Sequence, residues 1–391
     1  MSEKILFRQE RNGGYKFNRE TGKVEFLEDD KFNNEIQEFK KRNEGLDIIS
    51  LPENSSEISL SAPLVIWHET THACNLNCKE CVRDKGHEKE LNAEEISQIY
   101  ADLASSGVFE IRVTGGEACL RPDIEKIVHA AKKNGLYVSL TSNGVYSSEL
   151  RNKIVNLPIE LYILSLDGTE QIHDSIRGKG SYSSTMDTIK ALTQAHKNVR
   201  INTVLMQENK DCIEELVKIL NCNGVSKLTL IPLRPWGSAV KDFHKNKLTP
   251  EQYMNVVKEV NELRKKYPGF SIATNYDIIS TTNHGSNVPS HWSKMCMAGI
   301  EAACISPSGN LRACIVASGE GFNVGNLTQS KLSTLWHNDK IWGIFRDIDR
   351  RVLEQCKKCP DYTTKCPGSC IAMTEFSKSP QEMYCFKHLV A

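Results

Sequence analysis

The sequence has no surplus of either charge: Lys plus Arg and Asp plus Glu each number 49 in 391 residues. No basic field draws it to nucleic acid or to an anionic membrane surface, and neither is expected as a partner. It also lacks long apolar runs. The stretch Met1-Ser-Glu-Lys-Ile-Leu-Phe-Arg8 carries no apolar core of about 7 to 15 residues such as a secretion signal needs. Nowhere do about 18 apolar residues follow one another, so no membrane span is expected and a cytoplasmic location is. Without a secretion signal, a disulfide framework is disfavoured. Yet 14 cysteines are present, which points to metal sites.

Their positions sharpen that reading. Three cysteines lie in one loop, eight crowd between Cys296 and Cys385, and Cys119, Cys212 and Cys222 stand apart. The clustered ones divide into a group of three and two groups of four. The remaining composition, 39% hydrophobic and 25% charged, is that of an ordinary globular protein long enough for two or three domains.

Short apolar runs alternate with longer amphipathic stretches from Leu64 to about Pro235, the pattern of repeated β/α units on a parallel sheet. Strands are expected at 64–69, 108–114, 136–142, 159–166, 198–205 and 227–233, with helices near 92–106, 122–134, 147–156, 183–196 and 211–223. Before them, Tyr15-Lys-Phe17 and Lys23 to Leu27 flank a glycine turn and predict a hairpin, followed by a helix from Asp29 to Arg42. Asn43 to Ala62 reads as a linker. Beyond Gly237, a helix is expected over 249–267, with Thr249 as N-cap, Pro250 at N1 and Gln252 at N3. Asn275 to Ser293 reads as an irregular connector in which His284 or His291 could titrate.

The chain is organised around Cys74-Asn-Leu-Asn-Cys78-Lys-Glu-Cys81, which follows the apolar run Leu64-Val-Ile-Trp67. Three thiolates at this spacing can hold one face of a cubane iron-sulfur cluster and leave its fourth iron without a protein ligand. Zinc or plain burial are the alternatives, but zinc favours paired cysteines and a fourth ligand, which this loop does not supply. The loop and its position resemble the radical SAM superfamily. That resemblance implies a partial (β/α)6 TIM barrel of the α/β class, with S-adenosylmethionine (SAM) chelated at the open iron and the chemistry at the C-terminal strand ends. One departure is visible: the residue before the third cysteine is usually aromatic in the family and is Glu80 here.

Further strand-end motifs extend the resemblance. Thr114-Gly115-Gly116-Glu117 matches the family's GGE element, whose implied role is to approach and fix the SAM amino group. Ser142-Asn143-Gly144 resembles its SNG element. Ser165-Leu-Asp167-Gly168, followed by His173-Asp-Ser-Ile-Arg177, implies polar contacts to the SAM ribose and an arginine for the methionine carboxylate. Asp167 and Ser165 could instead cap the turn at Gly168. Cys119 is read as a buried thiol.

At the C-terminus, Cys296-x7-Cys304-x4-Gly309-x4-Cys314, a spacer, Cys356-x2-Cys359-x6-Cys366-x3-Cys370 and a final Cys385 resemble the SPASM domain. The gap between Cys359 and Cys366 is one residue longer than usual. The family's crossed connectivity implies one auxiliary [4Fe-4S] cluster on Cys296, Cys304, Cys314 and Cys370, and a second on Cys356, Cys359, Cys366 and Cys385. Two structural zinc sites are the alternative for paired cysteines. Where the sulfatase-maturating branch has an aspartate after the third cysteine, this chain has Ile315, which disfavours that activity.

Four regions are expected: a hairpin and helix segment over 1–62 that could recognise a peptide by strand addition, the barrel over 63–237, a linker helix and loop over 238–292, and the SPASM domain over 293–391. The resemblance implies reductive cleavage of SAM to a 5'-deoxyadenosyl radical and oxidative modification of a peptide or protein, with auxiliary clusters relaying electrons and a flavodoxin or ferredoxin as donor. Tailoring of a haem-type or tungsten/molybdenum cofactor precursor, hence a small-molecule substrate, is the alternative. No residue is singled out as the general base.

Overall fold

A computed structural model describes residues 4–42, 46–53, 56, 58–83, 86, 88–274, 296–317, 322–347, 354–360, 370, 371 and 385. The connector over 275–293, with His284 and His291, lies outside the described residues. So does Cys366.

The N-terminal segment is a four-stranded sheet with one helix. Strands β1 (Ile5–Glu10), β2 (Gly13–Asn18) and β3 (Val24–Leu27) form an antiparallel meander. Helix α1 (Asp29–Lys41) follows, and β4 (Leu46–Ile49) returns parallel to β1, giving the order β3-β2-β1-β4. Asp29 and Asp30 in the first turn of α1 and Lys40 and Lys41 in the last suit the helix dipole. Phe32 and Ile36, one turn apart, face Phe7 and Leu27 on the sheet. The expected hairpin and helix are present. The two flanking strands go beyond the expectation, and β4 lies inside the stretch read as linker.

The other face of this sheet closes the bottom of the main domain. Leu6, Tyr15, Phe17 and Phe26 pack with Leu60, Leu64, Phe109 and Tyr137. The rings of Phe17 and Phe109 stack at 4.7 Å. Buried Arg8 donates to the Gly107 and Pro63 carbonyls, pairs with Glu10, and lies 4.6 Å from the Phe109 ring centre.

The main domain has one ten-stranded sheet. Its parallel strands are β5 (Val65–Glu69), β6 (Glu110–Thr114), β7 (Tyr137–Ser142), β8 (Leu161–Ser165), β9 (Val199–Leu205) and β10 (Lys227–Pro232). Between them run α2 (Ala93–Ser105), α3 (Ile124–Lys133), α4 (Ser148–Val155), α5 (Glu170–Arg177), α6 (Ser181–Gln194) and α7 (Ile213–Cys222). The side chains alternate. Ile66, Ile111, Val113, Val138, Leu140, Leu164 and Ile201 are buried in the main core with the helices. All six expected barrel strands are found, as are five expected helices. Helix α5 is an addition, because its eight residues carry a site motif and only one turn of apolar spacing.

Beyond β10 come a short helix α8 (Phe243–Asn246), then α9 (Pro250–Lys266) and β11 (Ser271–Ala273). The expected cap of α9 forms: Gln252 N–H donates to Thr249 Oγ1 at 3.2 Å and Thr249 N–H to Gln252 Oε1 at 2.8 Å. Strand β11 pairs with β10, so the stretch read as a linker adds a seventh parallel strand. At the opposite edge β12 (Ala302–Ile305) runs parallel to β5, with Cys304 opposite Trp67, and β13 (Asn310–Arg312) and β14 (Asn323–Asn326) follow antiparallel. The sheet order is β11-β10-β9-β8-β7-β6-β5-β12-β13-β14, an open sheet that does not close on itself. A last described pair of helices, α10 (Leu332–Trp336) and α11 (Glu354–Lys357), belongs to the C-terminal region. Among the described residues no helix is long and apolar enough to cross a membrane.

Candidate active site at the open ends of the strands

The chain leaving β5 does not part from the chain leaving β6. Thr70 N–H donates to the Thr114 carbonyl, Gly116 N–H to Thr71 and Glu117 N–H to Ala73, at 2.7 to 2.8 Å. These bonds prolong the strand pairing to the doorstep of Cys74. They require glycine: Gly115 has φ +145°, and a Cβ on Gly116 would overlap the Ala73 carbonyl oxygen.

Glu117 then ties β6 to β7. Its carboxylate accepts from Ser142 Oγ at 2.9 Å, Asn143 N–H at 2.8 Å and Cys119 N–H at 3.2 Å. Burial pushes its pKa up, and the three donors work against that. The carboxylate therefore acts within the chain as a brace. Ser142 also meets Tyr146, whose hydroxyl donates to Cys119 Sγ, so Ser142 and Cys119 are both internal. Asn143 faces the cysteine loop: its Nδ2 donates to Asn75 Oδ1 at 2.8 Å and lies 3.9 Å from Cys74 Sγ. Leu76 N–H points at the same sulfur, at 3.4 Å.

A second network meets Cys78. Arg177, on the last turn of α5, pairs with buried Asp167 and with Glu80 at 2.8 Å, and donates to Cys78 Sγ at 3.8 Å. Burial opposes its charge, and the Asp167 and Glu80 carboxylates outweigh it. Asp167 is held by Val204 N–H, while its own N–H donates to His173 Nδ1 at 3.1 Å. Burial raises the pKa of Glu80 against the pull of Arg177, and its Oε2 is buried with no hydrogen-bond partner among the described residues. Ser165 sits at the end of β8 in register with Asn202 of β9, half-buried. On the far side stands Gly237, at φ +55°, where a Cβ would overlap the Cys81 and Arg83 carbonyl oxygens.

Of the C-terminal thiols, Cys304 stands on β12 beside β5. Behind burial, which raises the pKa of both, Cys314 just after β13 adds to the rise at Cys304 on β12, and Cys296 and Cys370 add to that at Cys314. Burial pushes Cys314 up to about 12. Cys359 N–H donates to the Cys356 carbonyl at 3.0 Å. Among the described residues no disulfide joins two cysteines. Among the described residues no three Cys, His, Asp or Glu side chains close on a single-ion position, the arrangement a lone zinc would demand.

Comparison with known proteins gives this geometry a family. The model of the radical SAM superfamily matches residues 68–220, and that of an iron-sulfur cluster-binding SPASM domain matches 296–360. The chain belongs to the SPASM-bearing radical SAM enzymes. It is similar to the mycofactocin maturase MftC of Mycobacterium tuberculosis, 27% identical over 83% of this chain and 82% of the relative. It also resembles the PqqA peptide cyclase of Rhizobium meliloti, 26% identical over 76% and 79%. An AdoMet-dependent heme synthase of Oleidesulfovibrio alaskensis is 24% identical over 82% and 85%. In fold it matches Streptococcus suis SuiB bound to its precursor peptide SuiA, with TM-score 0.78, 18% identity and 98% of both chains covered.

The radical SAM and SPASM domains imply SAM and iron-sulfur clusters, and the residues present fit them. The loop offers three soft thiols, the nearby Asn143, Leu76 and Arg177 donors aim at sulfur, and Cys314 lies within electrostatic reach of Cys304, Cys296 and Cys370. The radical SAM barrel brings the expected site residues into two networks, Glu117-Ser142-Asn143-Cys74 and Asp167-Arg177-Glu80-Cys78. The second auxiliary group is described only at Cys356, Cys359 and Cys385. Two site residues carry no sequence signal: Glu69 at the end of β5 and Arg312 at the end of β13 belong to no motif and meet only through the β5–β12–β13 register.

Proposed function

We propose that this radical SAM enzyme oxidatively modifies a peptide or protein, forming a crosslink or a similar bond. Three [4Fe-4S] clusters would serve it: one on Cys74, Cys78 and Cys81 that binds SAM, one on Cys296, Cys304, Cys314 and Cys370, and one on Cys356, Cys359, Cys366 and Cys385. When bound, the SAM-binding cluster and SAM supply one-electron cleavage of the sulfonium to a 5'-deoxyadenosyl radical able to abstract a hydrogen atom. The observation that carries the reading is that the three-cysteine loop leaves β5 while Cys304, with Cys314 close by, stands on β12, the strand paired with β5. An oxidation by two electrons needs an acceptor near the site of hydrogen abstraction, and the second group supplies that position.

The residues of the chain have definite parts in this scheme. Gly115, Gly116 and Glu117 hold the cysteine loop against β6 and would present backbone to the SAM amino group. Asn143 fixes Cys74. Asp167 orients Arg177, which keeps positive charge beside Cys78 and the methionine carboxylate, and Ser165 lines the ribose side. The names of the maturase, the cyclase and the peptide-bound SuiB support a peptide substrate. The N-terminal sheet offers it an edge: β4 is an outer strand, and its Ile48 is 42% exposed. A cytoplasmic enzyme reduced by a flavodoxin- or ferredoxin-type donor is consistent with this reading. The likeness to a heme synthase supports the second reading, a small cofactor precursor as substrate.

Anaerobic incubation with SAM and dithionite should yield 5'-deoxyadenosine. Addition of a precursor peptide encoded beside the gene should yield a product lighter by two hydrogens. Formation of 5'-deoxyadenosine with no peptide product would favour the cofactor reading, whereas none at all would end both.

A further inference from the structure

Glu69 is the last residue of β5, and the chain beyond it becomes the loop that carries Cys74, Cys78 and Cys81. Its side chain reaches to β13. It pairs with Arg312 of β13, and both lie against Cys304: the guanidinium is 3.7 Å from the sulfur and the carboxylate 3.9 Å. The site is dry, with Arg312 and Glu69 side chains 5% and 9% exposed and Cys304 fully buried.

We propose that the Glu69–Arg312 pair sets the reduction potential of the auxiliary centre held by Cys304. The inference rests on the proposed ligation of that centre by Cys296, Cys304, Cys314 and Cys370. Reduction adds negative charge to a cluster, and hydrogen bonds and charges at its sulfurs decide how readily it is accepted. Arg312 stabilises the added electron. Glu69 opposes it, and at the same time anchors the guanidinium so that one nitrogen stays on the sulfur. Burial leaves both effects weakly screened. The pair also joins the two redox sites mechanically, since one partner stands five residues before Cys74 and the other two residues before Cys314.

The test is EPR-monitored potentiometry of the full-length, anaerobically reconstituted enzyme, with the auxiliary signal assigned by its loss when Cys296, Cys304, Cys314 and Cys370 are all replaced by alanine. Glu69→Gln should raise the midpoint of that signal and Arg312→Gln should lower it. Arg312→Lys, which keeps the charge but not the fork, should fall between Arg312→Gln and wild type. A merely structural role would lower iron content in both variants without moving the midpoint in opposite directions. Unmoved midpoints, or shifts of the same sign, overturn the inference while leaving the proposed centre in place. If the fourfold alanine replacement removes no reducible signal, the proposed centre itself fails, and the inference with it.

Discussion

The guanidinium of Arg177 stands 3.8 Å from the sulfur of Cys78, held there by Asp167 on one nitrogen and Glu80 on another. A positive charge placed so, with both carboxylates buried, cannot be removed without stranding them. Arg177→Met should therefore destabilise the fold by about 3–5 kcal/mol and weaken SAM binding. Arg177→Lys should recover stability better than affinity, because an ammonium lacks the planar fork that meets both carboxylates and the sulfur from fixed directions. Thermal melting and SAM titration check this, and unchanged affinity in Arg177→Met would remove Arg177 from the site.

Gly116 leaves no room for a side chain where the GGE backbone crosses Ala73, whereas a Cβ on Gly269 would meet nothing within 4 Å. Gly116→Ala should cost about 1–3 kcal/mol and displace the cysteine loop, so iron content and SAM binding fall together. Gly269→Ala should behave as wild type. Iron assay and equilibrium dialysis of SAM on both variants read the contrast.

The N-terminal sheet has two faces with different duties. Phe17→Ala removes a ring stacked on Phe109 and should destabilise the whole enzyme by about 3–5 kcal/mol. Ile48→Lys alters only the exposed edge of β4. It should leave melting and SAM cleavage unchanged and weaken binding of the precursor peptide, as fluorescence anisotropy would show. Deleting the whole segment would conflate these effects, because it uncovers the barrel bottom.

His68 is fully buried, with Nδ1 on the Tyr100 hydroxyl at 2.8 Å. Burial first, and the Arg121 charge second, lower its pKa from 6.5 to about 3. The neutral ring is the native form, so the unfolded chain binds the extra proton between those values. Stability should be complete above about pH 6.5 and fall as pH drops toward about 3, by up to about 1.4 kcal/mol per unit. Urea unfolding at pH 7 and pH 5 should show a smaller difference for His68→Gln than for wild type.

Much of this was legible in the residues. The six barrel strands declare themselves by short apolar runs that recur at even spacing, and the cysteine loop and GGE by their place at strand ends. What escaped is whatever depends on pairing at a distance. β4 has only Leu46, Ile48 and Ile49 to mark it, and is a strand because β1 offers it hydrogen bonds. β11 is three residues long and owes its state to β10. The bonds that Glu117 accepts from Ser142 and Asn143 join β6 to β7, a link no local spacing can express. Glu69 and Arg312 lie 243 positions apart and could not be joined before the sheet order was known.

The parallel pairing of β12 with β5 puts Cys304 in register with Trp67. A cut between barrel and C-terminal domain would tear a strand from the middle of a sheet and expose raw edges on both pieces. Chimaeras that trade cluster domains between relatives should carry β12 to β14 along with the barrel that bore them, and place the junction after Asn326.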